Sequence, residues 1–298
     1  MSEKAVLEPI RRSLYSSSPA GLLYHYTGYQ ALLGIAKSAQ LWGSDIHYFN
    51  DSSELRHAVR VFGLALTTVT TGSNYPTDLV EQLRAWIDMR LADGHGLFVV
   101  CFTEAGNLLS QWRGYTPHGN GISLGFDPGH LADCAAVQGF QIGRCVYSRD
   151  QQHAIGCKVV EGFLNFAHAA GPKGECEAHP SQSYYASFYS LELDLLSIAA
   201  LLKNPAFEEE QEWRAVSAVQ SNYVEHAAQY RVGRNMLIPY KPFSIRKSPD
   251  KSMRIEHVFL GPTPENNLAM SSLSKFLACH GMNPKKGVTA SQLPYRTT

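Results

Sequence analysis

LFVVCFT, residues 97–103, is an unbroken apolar run. It is too short for an ordinary helix, and both alternating sets of side chains are hydrophobic, so it reads as a strand buried on both faces. Upstream, GLLYHYT (21–27) reads as a strand, GYQALLGIAKSAQ (28–40) as a helix, and LWGSDIHYF (41–49) as a second extended segment. A helix follows with Leu55, Val59, Phe62 and Leu66 on one stripe, then another built on Leu79, Leu83, Trp86 and Ile87. Downstream, NLLSQWRGY (107–115) is a short helix or turn, GNGISLGF (119–126) a strand, HLADCAAV (130–137) a helix and FQIGRCVY (140–147) an alternating strand.

Residues 150–204 are almost wholly helical, broken near 171–182, with Leu191, Leu195, Ile198 and Leu202 as an apolar stripe. EWRAVSAV (212–219), RNMLIPY (234–240) and RIEHVFLG (254–261) are extended, and ENNLAMSSLSKFLACHG (265–281) is helical. Strands interleaved with helices in this order predict one α+β, or mixed α/β, domain over residues 1–298. Its sheet is antiparallel-rich with inserted helices, residues 1–20 form an N-terminal segment, and 150–204 are a helical insertion.

Lys+Arg and Asp+Glu balance at 26 each, so no global field drives non-specific binding to nucleic acid or membrane. No secretory-type apolar core opens the chain and no window has the length of a membrane span, which predicts a cytoplasmic protein with no membrane partner. The six cysteines lack CxxC spacing, arguing against a zinc ribbon or a disulfide framework. Cys176 and His179 in GECEAHP come nearest to a ligand pair, but no second pair matches them, and no metal is expected.

Four polar clusters could carry chemistry. On Leu23–Thr27, the period of two sets His25 and Thr27 on one face and Tyr24 and Tyr26 on the other. Tyr48, Phe49 and Asn50 mix aromatic and polar groups at a helix start, where rings could stack on a heterocycle and N–H groups could receive an anion; the competing reading is a helix start capped by Asn50 or Asp51, with Glu54 completing a capping box. Gln111, Trp112, Arg113 and Tyr115 follow the buried strand, where sites tend to lie, although they serve equally as cover for the core. In EEEQEWR (208–214), alternation places Glu210, Glu212 and Arg214 on one face, a costly arrangement in a sheet unless Arg214 or a cationic ligand offsets the acids; a solvated charge run is the competing reading.

In combination, LYHYT, LWGSDIHYFNDSSE, VVCFTEAGNLLSQWRGY, GNGISLGF, EEEQEWRAV, VFLGPT and SQLPY resemble a bacterial family known only as domain of unknown function 2971, over roughly residues 20–296. The early His-Tyr-Thr strand and the late Glu-x-Glu strand also resemble the signature strands of the ADP-ribosyltransferase superfamily. That second resemblance implies a split-sheet fold and NAD as substrate. It assigns the adenosine ribose to His25, the nicotinamide amide to backbone at Tyr26 or Thr27, and ring stacking to Tyr48 or Phe49. Glu212 would bind the nicotinamide ribose, with Glu210 next to test. It implies a protein or nucleic-acid acceptor and, among possible roles, a toxin or phage-defence effector. The Ser-Thr-Ser strand of arginine-modifying members is missing, which disfavours arginine as acceptor. The alternatives are a non-catalytic binding domain of the same fold, or an RNA 2′-phosphotransferase-like enzyme using Arg113, Arg214 and the basic stretch at 241–254.

Overall fold

Phe98–Thr103 is the strand through which the two parts of the sheet meet. The computed structural model describes residues 6–49, 54–92, 96–117, 120–173, 180–220, 228–233, 235–248 and 253–293. In chain order these form α1 (Glu8–Leu14), β1 (Leu23–Thr27), α2 (Tyr29–Ser38), β2 (Gln40–Asp45), α3 (Glu54–Thr70), α4 (Thr77–Ala92) and β3 (Phe98–Thr103). Next come α5 (Leu109–Tyr115), β4 (Ile122–Phe126), α6 (Pro128–Ala136), β5 (Phe140–Arg144), α7 (Arg149–Ala170), α8 (Tyr185–Tyr189) and α9 (Glu192–Ala199). The last are β6 (Glu212–Ser217), β7 (Gln229–Val232), β8 (Leu237–Ser244), β9 (His257–Leu260), α10 (Asn266–Cys279) and β10 (Val288–Ala290).

The architecture is α+β, with an open and mostly antiparallel sheet. Its strands run β10-β9-β4-β1-β3-β2-β8-β7, with β6 on β3 and β5 on β6; β9 and β10 are parallel. Successive β3 residues feed two cores on opposite faces. Val99 joins a helical core with Phe62, Trp86, Phe163 and Phe188, whereas Val100 and Phe102 join a second one with Phe126, Trp213 and Phe243. The stripe residues Leu55, Phe62 and Leu66 of α3, and Leu79, Leu83, Trp86 and Ile87 of α4, are buried in the helical core, so amphipathic spacing located both helices correctly. Leu191, Leu195, Ile198 and Leu202 are buried there too.

One edge of β3 pairs with β6 along its length, from Val99–Val216 to Thr103–Glu212. Its other edge is shared. β1 pairs with it at Tyr24–Thr103, and β2 at Ser44–Val99 and Asp45–Phe98, so β1 and β2 part along it.

Three local readings differ from the structure. Residues 46–48 leave the extended path for a 3-10 turn, because the Asp45 carboxylate accepts the His47 N–H at 3.0 Å and ends the strand. The N-terminal segment contains α1, anchored by a fully buried Leu7. The short edge strands β7 and β10 went unread, being too brief and too exposed to show alternation. Among the described residues no helix is long and apolar enough to cross a membrane.

Candidate functional site

Where β1 and β3 part, a cavity of about 50 Å³ opens, lined among others by His25, Tyr115, Glu210 and Glu212. That is room for a few waters or one edge of a sugar. His25 and Glu212, far apart in sequence, meet here because β1 and β6 flank the same strand. In the row Tyr24–Thr103–Glu212, side chains share one face, and alternation sends His25 to the other, beside Phe102 at a ring separation of 5.9 Å. His25 is nonetheless among the residues that line the cavity where these strands part. Its Nδ1–H donates to the Cys101 carbonyl at 2.9 Å, using a backbone acceptor of β3, and this tautomer leaves Nε2 as the ring's acceptor. Burial lowers the His25 pKa, with the carbonyl bond opposing it, so the ring is neutral at pH 7.

The carboxylates arrive from a turn and a strand. A 3-10 turn over Pro205–Glu210 ends at Gln211, whose φ of 44° is left-handed, and β6 begins at Glu212. Thr103 Oγ1 donates to the Glu210 carbonyl at 2.5 Å, and the Glu212 N–H donates to the Tyr147 hydroxyl at 3.0 Å. The Tyr115 hydroxyl donates to Glu210 Oε1 at 3.2 Å.

Behind the cavity the acids join a buried network. Lys203 Nζ lies 2.5 Å from Glu210 Oε2 and 2.5 Å from Glu212 Oε2. Arg214 reaches Glu212 Oε2 at 3.0 Å and Glu54 Oε2 at 2.6 Å, and donates to the Ala200 carbonyl at 2.7 Å. Lys203 and Glu54 are 3.8 Å apart. Burial would raise the Glu212 pKa, but Arg214 and Lys203 overcome it and hold the carboxyl at about 2. For Glu54, burial prevails over the same cations and raises its pKa. Three carboxylates face two cations, so the network carries a surplus negative charge whenever all are ionised.

Of the residues singled out from the sequence, His25, Tyr26, Gln111, Tyr115, Glu210 and Glu212 line the cavity, whereas Thr27, Tyr48, Phe49, Trp112, Arg113 and Arg214 do not. The Tyr26 hydroxyl donates to the Ala105 carbonyl at 2.7 Å and accepts the Leu108 N–H at 2.8 Å, so this tyrosine pins the loop after β3. Thr27 is buried, Tyr48 is exposed, and the Phe49 ring packs 5.5 Å from the Arg214 guanidinium. Arg113 is exposed on α5, and Arg214 sits behind Glu212. Asn50, Asp51, Cys176 and His179 lie outside the described residues. Lys203 was missed: in LLKNP nothing separates it from a surface lysine, and only the fold brings it to the acids. Among the described residues no group of three or more His, Cys, Asp or Glu side chains could hold a metal.

A family model described as Protein of unknown function (DUF2971) matches residues 111–215, a narrower span than the sequence motifs suggested. The match contains Tyr115, Lys203, Glu210, Glu212 and Arg214 and stops short of His25. No curated protein and no solved structure matches the chain. Over residues 111–215, the chain is similar to a family of unknown function.

Proposed function

We propose that this protein is an NAD-consuming, ADP-ribosyltransferase-like enzyme, in which the cavity receives the ribose attached to nicotinamide. The observation that carries the reading is the convergence of an imidazole and two carboxylates on one cavity, beside a buried network of three acids and two cations. Breaking the nicotinamide–ribose bond builds positive charge on the sugar. A fixed carboxylate such as Glu212 stabilises that charge more than it stabilises the ground state. His25 Nε2 and the Glu210 carboxylate are acceptors for ribose hydroxyls. The cavity's size limits it to part of the ligand, and the rest of a dinucleotide would lie outside. The acceptor, protein or nucleic acid, belongs to this proposal.

The test is NAD binding together with nicotinamide release. A ligand at 100 times its dissociation constant adds about 2.7 kcal/mol of stability, so NAD should raise the melting temperature. The absence of both a thermal shift and nicotinamide release would overturn the proposal.

One observation favours a second reading, a binding domain without turnover: Glu212 Oε2 is already engaged by both Lys203 and Arg214. A shift with NAD but no nicotinamide release would select it. Neither Arg113 nor Arg214, the basic groups a 2′-phosphotransferase would use, lines the cavity.

A further inference from the structure

We propose that Lys203 is the positioning residue of this site, the cation that lets Glu210 and Glu212 stand side by side as a pair of ionised carboxylates. Its two contacts of 2.5 Å place the bound oxygens no more than about 5 Å apart. Two carboxylates at such a separation, without a cation between them, retain one proton. Arg214 cannot replace Lys203, since its bonds go to Glu212, Glu54 and the Ala200 carbonyl. Among the described residues Lys203 is the only cation in contact with Glu210, whose other side-chain partner is the Tyr115 hydroxyl.

The lysine is held as a fixed part should be. Its N–H donates to the Val146 carbonyl at 3.1 Å, and its carbonyl accepts from Gln152 at 2.7 Å. Its ammonium lies 5.4 Å from the Phe207 ring, and its side chain is 3% exposed. Among the described residues, the other titratable groups facing the cluster are Glu54 from α3, Tyr115 from α5, Cys101 from β3, Cys145 and Tyr147 beyond β5, and Tyr15 after α1. Burial raises the pKa of both thiols and all three phenols and keeps them neutral at pH 7, so among the described residues Glu54 alone competes with the pair for a proton.

The inference rests on the proposed reading only for its catalytic meaning, so the experiment has two readouts. Infrared spectra of the full chain report protonated carboxyl groups directly. Lys203→Met should show one more than wild type at pH 7, and that extra band should vanish in Lys203→Met/Glu210→Gln. If Lys203→Met is too unstable, the double variant, which also removes the stranded acid, should recover folding. Absence of the extra band in a folded Lys203→Met protein would overturn the proposal, as would a double variant no more stable than an unfolded single one. With NAD, the acid limb of nicotinamide release should move up by about one pH unit or more in Lys203→Met, and Lys203→Arg should restore part of the shift. An unmoved limb would overturn the positioning role. No release by wild type would count against the transferase reading alone, with the infrared test still deciding Lys203.

Discussion

Glu212 and Arg214 point the same way from one strand and meet at 3.0 Å, while Arg214 crosses to Glu54 of α3 at 2.6 Å. A single guanidinium thus ties the sheet to the helical layer. Arg214→Met removes it and leaves two buried acids with Lys203 as their shared cation, which should destabilise the fold by about 3–5 kcal/mol. Adding Glu54→Gln should return part of that loss. Urea unfolding measures both, and a loss under about 1 kcal/mol for the single variant would contradict the role of Arg214.

Glu212→Gln preserves shape while removing the charge. Under the proposed reaction it should lower nicotinamide release on the order of a hundredfold with NAD affinity largely kept. It should also cost about 1–3 kcal/mol of stability, because Lys203 and Arg214 lose a charged partner. Equal release by wild type and variant, compared per folded molecule, would remove Glu212 from the mechanism.

Two buried acids of one network push stability in opposite directions as pH changes. Glu212 is held at about 2, below its unfolded value, so its contribution is present above the ordinary glutamate pKa and is lost as pH falls toward 2. Glu54 is raised, so its share is present at low pH and is lost as pH rises through its folded pKa. Urea midpoints measured across the acid range should therefore fall more steeply with acid in Glu54→Gln than in wild type, and less steeply in Glu212→Gln. Parallel curves for all three proteins would contradict the assignment.

Gln211 holds a left-handed conformation between the two glutamates, at φ 44°. Glycine adopts it freely, whereas a β-branched residue there is an outlier. Gln211→Gly should be neutral or mildly stabilising, and Gln211→Val should lose about 1–2 kcal/mol. If the valine variant melts like wild type, the turn is not what aims Glu210.

Much of the fold could be read from one chain because burial writes periodicity into it. The stripe on α3 and the continuous run of β3 are consequences of one apolar face and of two. Glu212 and Arg214 could be assigned to one side for the same reason, whereas Glu210 reaches them from the preceding 3-10 turn, across the left-handed Gln211. Lys203 left no such trace, since its importance comes from a fold-wide contact rather than a local pattern. Tyr48 and Phe49, an aromatic pair at a strand end, are absent from the cavity lining: Tyr48 is exposed and the Phe49 ring packs beside Arg214.

β3 has a consequence for how the chain acquires its structure. The Phe98 N–H is bonded to the Ser217 hydroxyl, 119 residues later, and β3 pairs along its length with β6. During synthesis this most hydrophobic strand must therefore wait for most of the helical layer to be made before its long-term neighbour emerges. Loop closure over such a span is slow, and an unpaired apolar strand is open to wrong partners meanwhile. The protein should fold late and as a whole, and fragments ending before β6 should aggregate rather than persist as soluble halves.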